Sequence, residues 1–497
     1  MVALEKIDDT LSRRPHTPKP PDDTPSPRNS TYNVSFNNGH NQTTPHEMSW
    51  LRKWVIVVLV CTGSLCVTCA SSIYTTAYTQ MNAELNASST ITTLGLSFFV
   101  LGIGSGPLLT GPLSERYGRS PIYLSSLFLF IIWNVTTAVA KNVQTILISR
   151  LLAGFAGGTF LSVSGGTVRD IFSRDKIQIP MILVSSAPFI GPCLGPLIGG
   201  FISYNAGWRW NFYLMVIWSS CLLLGIVCFV PETNHPINEK AKARVPRKKA
   251  GVERQEAFIE TTHPARRKTL ALSLLRPFQL LLLEPMCLAL DIYSAILLGI
   301  LYLFFQAFPH LFKTTYGFNG WQVGLTFLGI ILGMIVAATS SPLWHRLAEG
   351  LSNIHGDKNC EATPEQRLVP AIPGSVLISV GLFWFGWTIS PNIHWIVPVF
   401  GSAIFGCGML LTFTGIFTFL VYAYSLYAAS ALAGNGFVRC SFAAAFPLFG
   451  VQMYDRLGFH WATSLLAFLT VSMMPLPWLF LKYGKKLRAK SRFALGS

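Results

Sequence analysis

Residues 285–308 read Pro-Met-Cys-Leu-Ala-Leu-Asp-Ile-Tyr-Ser-Ala-Ile-Leu-Leu-Gly-Ile-Leu-Tyr-Leu-Phe-Phe-Gln-Ala-Phe, an apolar run with one charge, Asp291. A helix of that length crosses about 30 Å of hydrocarbon. Working outward from it, stretches of roughly 18 to 25 apolar residues recur along the chain. They lie at 54–77, 91–113, 121–140, 143–168, 180–203, 210–231, 285–308, 321–344, 371–389, 394–420, 430–454 and 460–481. The pattern predicts an all-α polytopic membrane protein of twelve transmembrane helices. Composition agrees: the 497 residues are 51% hydrophobic and 12% charged, whereas a soluble domain carries about 25% charged residues. That balance excludes an ordinary water-soluble enzyme, and the apolar half excludes a disordered chain.

The net charge of +16 suggests nucleic acid only if the basic residues gather on a folded face. They lie between the apolar runs instead. If residues 1–53 face the cytoplasm, 32 of the 38 Lys and Arg fall on that side; Lys141, Arg209, Lys313 and Arg456 fall on the other, and Arg150 and Arg439 lie inside spans. The positive-inside rule therefore places both termini in the cytoplasm. The chain divides into a Pro/Ser/Asn/Thr-rich tail (1–53) without the apolar core of a signal peptide, six spans (54–231), a basic central loop (232–284), six more spans (285–481) and a basic tail (482–497).

Nine of the ten cysteines sit in spans as small apolar residues, with Cys360 in a loop, and their spacing fits neither a metal site nor a disulfide framework. The sequon at Asn86 falls in the first outside loop and makes Asn86 a candidate glycosylation site; those at Asn29, Asn33 and Asn41 fall in the cytoplasmic tail and are expected to be silent.

The six-plus-six division invites a search for an internal repeat. Gly111-Pro112-Leu113-Ser114-Glu115-Arg116 follows the second span and Ser341-Pro342-Leu343-Trp344-His345-Arg346 follows the eighth; Gly154 to Gly166 in the fourth matches a Gly-rich stretch, Gly406 to Gly415, in the tenth. Two similarities in matching order predict two related bundles.

Over residues 50–482 the layout resembles the major facilitator superfamily, specifically the twelve-span drug:proton antiporters of fungi. Gly111 to Arg119 is similar to that superfamily's loop motif between spans two and three. Arg150-xxx-Gly154-xx-Gly157 resembles its fourth-span motif, and Gly191-Pro192-Cys193-Leu194-Gly195-Pro196-Leu197-Ile198-Gly199-Gly200 the antiporter motif of the fifth. Trp208-Arg209-Trp210-Asn211-Phe212, Pro231-Glu232-Thr233 and Tyr427-Ala428-Ala429-Ser430-Ala431-Leu432-Ala433 also look like this group. The sequence departs from the pattern at Ser120, Gln306 and Tyr422, where the resemblance leads one to expect a base, Glu and Asp.

Physical readings stand beside the resemblance. Glu115, Arg116 and Arg119, around a turn permitted by Gly118, either latch two bundles at the cytoplasmic mouth or simply obey the positive-inside rule. Arg150, near the outer end of its span, either snorkels or faces the bundle interior, where an ionisable group marks function; the resemblance implies a part in proton coupling. The Gly-Pro pairs of the fifth span, with Gly191, Pro192, Gly195, Pro196, Gly199 and Gly200, allow close helix contact, and the resemblance adds a hinge between the halves.

Of 22 acidic residues, Asp291 alone lies well inside a span. A carboxyl in a dry site favours its protonated form, which makes Asp291 a candidate proton site or an anchor for a cationic substrate; a structural hydrogen bond is the alternative. Arg439, where the resemblance also implies Arg, is a candidate partner for it. Tyr293, Tyr302, Gln306 and Phe437 are candidates for the substrate cavity, because hydroxyls and amides in hydrocarbon need partners, and many aromatics with few charges suit a flat, largely apolar compound.

No phosphate-cradling motif, catalytic triad or metal cluster appears, so a non-enzymatic, cofactor-free transporter driven by a proton gradient is expected, its partners being substrate, protons and membrane lipids, without nucleic acid, and the chain itself monomeric. The expected function is proton-coupled export of hydrophobic small molecules, drugs or secondary metabolites, from a fungal plasma membrane or into a vacuole. Uptake symport of a vitamin or organic acid, and a non-transporting receptor on the same scaffold, are the alternatives.

Overall fold

A computed structural model of the chain describes residues 48–173, 176–233, 266–354, 364–489, 491 and 493. Most of the N-terminal tail with the sequons at Asn29, Asn33 and Asn41, the last residues of the C-terminal tail, Cys360 and most of the basic central segment lie outside these residues. The described residues belong to one compact unit.

Among the described residues the regular structure is helical throughout. Eleven segments are long and apolar enough to cross a membrane: Trp50–Leu85, Ser89–Tyr117, Arg119–Ala138, Val143–Ile171, Gln178–Asn205, Arg209–Phe229, Pro285–Tyr316, Gly320–Trp344, Pro364–Thr388, Ile396–Ala423 and Ala428–Arg488. The last, at 61 residues, would be about 90 Å long if straight. It turns back at Gly458, whose φ of 75° and ψ of 164° leave the helical region. Tyr454 and Thr463, nine positions apart, then share a hydroxyl–hydroxyl hydrogen bond of 3.3 Å, a distance only a reversal allows. Residues 428–457 and 459–488 are thus the eleventh and twelfth spans.

Local chemistry sets the boundaries. Ser49, Ser88 and Asn142 cap the first, second and fourth spans, each accepting a bond from the backbone N–H three residues on. Gly118, at φ 107°, separates the second and third. Asn86 is exposed in a left-handed turn at φ 49°, just before the capping Ser88. The first span passes through a 3₁₀ turn at Ile73–Ala77, and the fourth breaks at Gly158.

One expectation is corrected: the end of the basic central loop is a helix, Arg266–Leu283. Its three leading basic residues mask a leucine-rich stretch that follows them. Leu275, Leu282 and Leu283 are exposed on it, while Phe278 stacks edge-on against Phe437 of the eleventh span at 5.7 Å.

The end of the bundle where the odd-numbered spans begin carries most of the basic residues and is called here the basic end. Phe128, Ile148, Ile217, Leu224, Val227, Val336, Phe400, Leu465 and Phe468 are exposed on the flanks. On a soluble protein such apolar surface would be a liability; around these helices it is the surface that meets lipid. Among the described residues the two sets of six spans meet at several places. Ser97 of the second span donates to the Ala444 carbonyl of the eleventh at 2.6 Å. Ser71 of the first meets Tyr302 of the seventh, hydroxyl to hydroxyl, at 2.9 Å. The fifth and eighth spans touch backbone to backbone, and Phe189 of the fifth stacks on Phe413 of the tenth at 4.5 Å.

Candidate functional site

The two charges buried deepest within the spans sit in different halves and are satisfied differently. Arg150 and Asp291 are both 0% exposed. Arg150 turns inward from the fourth span: Nη1 donates to the Ala70 carbonyl at 2.9 Å, Nη2 to the Ser71 carbonyl at 3.1 Å and Nε to the Gly95 carbonyl at 3.4 Å. Its guanidinium lies 3.8 Å from the ring centroid of Phe99 and 4.7 Å from that of Tyr74. Five planar N–H donors allow this spread of partners. Arg150 therefore does not snorkel. It fastens the bend of the first span and the second span to the fourth, which the second approaches closely because a Cβ on Gly154 would strike the Phe99 carbonyl.

Asp291, in the seventh span, receives Asn435 Nδ2 of the eleventh at 2.7 Å on Oδ1 and the Cys287 thiol at 3.4 Å on Oδ2. Asn435 Nδ2 also reaches Ser294 Oγ at 2.8 Å. The expected contact between Asp291 and Arg439 is not an ion pair: no salt bridge joins Arg150 or Arg439 to a carboxylate among the described residues. Arg439 stands one helical turn beyond Asn435 on the same span and lies over Phe417, Phe413 and Phe189 at 4.7, 5.5 and 5.6 Å. Asn435 is what the sequence reading missed; its spacing of four from Arg439 puts both on one face.

The turn after the second span also needs correction. Arg119 is buried, with Nε on Asp170 Oδ2 at 3.2 Å and Nη1 on Ser114 Oγ at 2.8 Å. Its backbone N–H and that of Ser120 donate to the Glu232 carboxylate at 2.9 and 3.2 Å. Every one of these partners belongs to the first six spans, so Arg119 ties the second, third, fourth and sixth spans of one half together at the basic end and does not latch two halves. Glu115 and Arg116 are exposed there. A Cβ at Gly118 would collide with the Glu232 carboxylate, so glycine is needed for space as well as for φ. The other half carries a buried pair that the sequence did not reveal: Arg488 Nε on Glu365 Oε1 at 2.7 Å and Nη2 on Oε2 at 3.2 Å. Tyr422 lies under the Arg367 guanidinium at 4.7 Å.

The fifth-span motif serves two partners. Gly191, Gly195 and Gly199 face the first span, where Cβ atoms would strike Thr68, Ser72 and Ile73. The next position round, Gly200, faces the eighth span, with 2.8 Å from its would-be Cβ to the Gly320 carbonyl. Pro196 belongs to that seam too, since a Cβ on Gly324 would lie 2.6 Å from its carbonyl.

At the end opposite the basic one, a cavity of about 450 Å³ opens between the halves, lined among others by Thr76, Tyr78, Ser203, Phe305, Gln306 and Lys313. Of the four candidate cavity residues, Gln306 alone lines it. Tyr302 is consumed at the seam with Ser71, Phe437 packs on the helix 266–283, and Tyr293 is fully buried among its neighbours. Gln306 Nε2 donates to Thr93 Oγ1 at 2.8 Å while its Oε1 is buried without a partner. Beside this mouth, Trp208 Nε1 and Arg209 Nη1 converge on Glu84 at 2.7 and 2.6 Å, closing the first span against the sixth.

The chain is similar over most of its length to known transporters. The sequence model described as the Major Facilitator Superfamily matches residues 60–447. An efflux pump of Aspergillus terreus, atB, is 45% identical, the alignment covering 93% of this chain and 90% of that protein. A probable drug/proton antiporter of Saccharomyces cerevisiae, YHK8, is 41% identical over 93% of this chain and 90% of its own. Among solved structures, the proton:xylose symporter XylE superposes with a TM-score of 0.62 at 16% identity, covering 87% of this chain and 97% of that one; at that identity the likeness concerns the fold.

Proposed function

Since this chain belongs to the Major Facilitator Superfamily, we propose that it is a secondary active transporter that exports hydrophobic small molecules in exchange for protons. The relatives named as an efflux pump and a drug/proton antiporter support the direction and the driving ion. The basic end faces the cytoplasm on this reading, in agreement with the positive-inside rule, and the membrane is the plasma membrane or the vacuole's. The chain acts as a monomer and needs no cofactor beyond the gradient.

The observation that carries the coupling is Asp291: fully buried, held by an amide and a thiol, with no cation in contact. A carboxylate so placed is tolerable in hydrocarbon when it is neutral or when a cation approaches. Proton binding lets the eleventh span keep its place against the seventh. Proton loss calls for a countercharge, and Arg439, one turn from Asn435, is the group that can supply it. Exchange of these two states shifts the eleventh span relative to the seventh and, through Ser97 and Ala444, relative to the second. The halves then rock about the seams described, exposing the site to alternate sides.

The test is flux in proteoliposomes. Asp291→Asn should abolish acceleration by an imposed pH gradient and leave substrate exchange at equilibrium within about threefold of the parent. Gradient-driven flux that survives Asp291→Asn assigns coupling elsewhere.

A further inference from the structure

The charges in the middle of the spans, away from their ends, do not balance, and the imbalance points to the sign of the cargo. There, two guanidinium groups, Arg150 and Arg439, stand against one carboxylate, Asp291, which accepts from Asn435 on one oxygen and from Cys287 on the other. Arg150 is satisfied by three backbone carbonyls. Arg439 is not: its Nε is buried without an acceptor, and its neighbours on the far side are phenyl rings. A guanidinium with no carboxylate in contact with it, in a seam lined by rings, is costly to keep. The rings around it are arranged as a platform. Phe189 and Phe413 are stacked at 4.5 Å with an interplanar angle of 15°, and Phe417 continues the stack at 5.7 Å from Phe413. One ring comes from the fifth span and two from the tenth, so the platform straddles the two halves and parts when they rock.

The wide cavity has the same sign. Among its lining residues there are Lys313 and His310 but no Asp or Glu. Asp455 stands against His310 at 3.1 Å, and Glu84, beside the mouth, is engaged by Trp208 and Arg209. Phe305 of the cavity wall touches Tyr302 edge-on at 5.2 Å, which continues the aromatic lining inward along the seventh span.

We propose that the exported compound is a flat aromatic monoanion, its carboxylate or equivalent planar anion held by the Arg439 guanidinium and its ring system by Phe189, Phe413 and Phe417. The planar fork of an arginine matches a carboxylate through two parallel hydrogen bonds, and flat rings stack on phenyl faces at little entropic cost. A cationic compound would meet two guanidinium groups and a single carboxylate that already accepts from Asn435 and Cys287. This assignment rests on the exporter reading given above and specifies its cargo.

The measurement is binding of 2-naphthoate and of its neutral isostere 2-naphthamide to the purified full chain in lipid nanodiscs, followed by quenching of tryptophan fluorescence. The parent protein should bind the acid at least tenfold more tightly than the amide. Arg439→Gln should erase that preference, Arg439→Lys should retain part of it, and Phe417→Leu should weaken both compounds while keeping their ratio. Equal binding of the two compounds by the parent overturns the assignment without need of any variant, and so does a tenfold preference that persists in Arg439→Gln. Because binding needs no gradient, the two readings fail separately. Gradient-driven export of neutral dyes without acid preference sinks the anion site alone. Acid preference without any gradient-driven flux sinks the exporter reading alone.

Discussion

Arg150 holds a full positive charge out of water by means that leave no trace in the sequence: three main-chain carbonyls and two ring faces. The sequence left snorkelling and an inward-facing guanidinium both open for Arg150, because carbonyl partners are invisible to motif reading. Arg150→Gln removes most of the donors, and each orphaned buried carbonyl costs about 1–3 kcal/mol. The thermal midpoint of the purified protein should fall clearly in Arg150→Gln and also in Arg150→Lys, whose single ammonium cannot span the three carbonyls; an unchanged midpoint in both would show that the carbonyl contacts carry no stability. Asp291 and Arg439 were legible as candidates, while their separation was not. Which amide intervenes depends on the register between the seventh and eleventh spans, and register is a property of packing.

At the scale of the element, glycines that look equivalent in the sequence differ sharply in space. Gly191 packs against Thr68 of the first span, whereas a Cβ on Gly111 would meet nothing within 4 Å. Gly111→Ala should therefore leave stability within about 0.5 kcal/mol of the parent, or raise it slightly through helix propensity. Gly191→Val should abolish correctly folded protein, as judged by a monodisperse elution profile. Gly118→Ala combines a backbone conformation that glycine alone adopts readily, costing about 1–3 kcal/mol, with a clash against Glu232, and should lower the thermal midpoint. A Gly118→Ala protein as stable as the parent would refute the close approach. The helix Arg266–Leu283 escaped the sequence reading because its leading charges outweighed the leucines behind them, and because its apolar stretch is too short to register as a span.

For the whole molecule, the spans and the membrane class were plain from composition and run length, since few other folds tolerate so much apolar surface. The seams between halves were not, because they rest on pairs far apart in sequence, such as Ser71 with Tyr302 and Phe201 with Trp321. The latter pair, with ring centroids 5.8 Å apart, joins the fifth and eighth spans away from the basic end. If the halves rock about that seam, Phe201→Cys and Trp321→Cys joined by a short bis-methanethiosulfonate crosslinker should stop transport, and reduction of its two disulfide links should restore it; full flux with the link in place would rule out separation at that seam.

Antiport itself is tested most directly by the protons. Proteoliposomes containing the purified chain and a pH-sensitive dye are loaded with a hydrophobic compound that has no titratable group, then diluted without an imposed pH gradient. Outward movement of the compound should acidify the lumen as protons enter in exchange, whichever way round the protein is inserted, and Asp291→Asn should abolish the signal. A lumen that turns alkaline as the compound leaves, or that does not change while the compound leaves at the full rate, would contradict proton antiport.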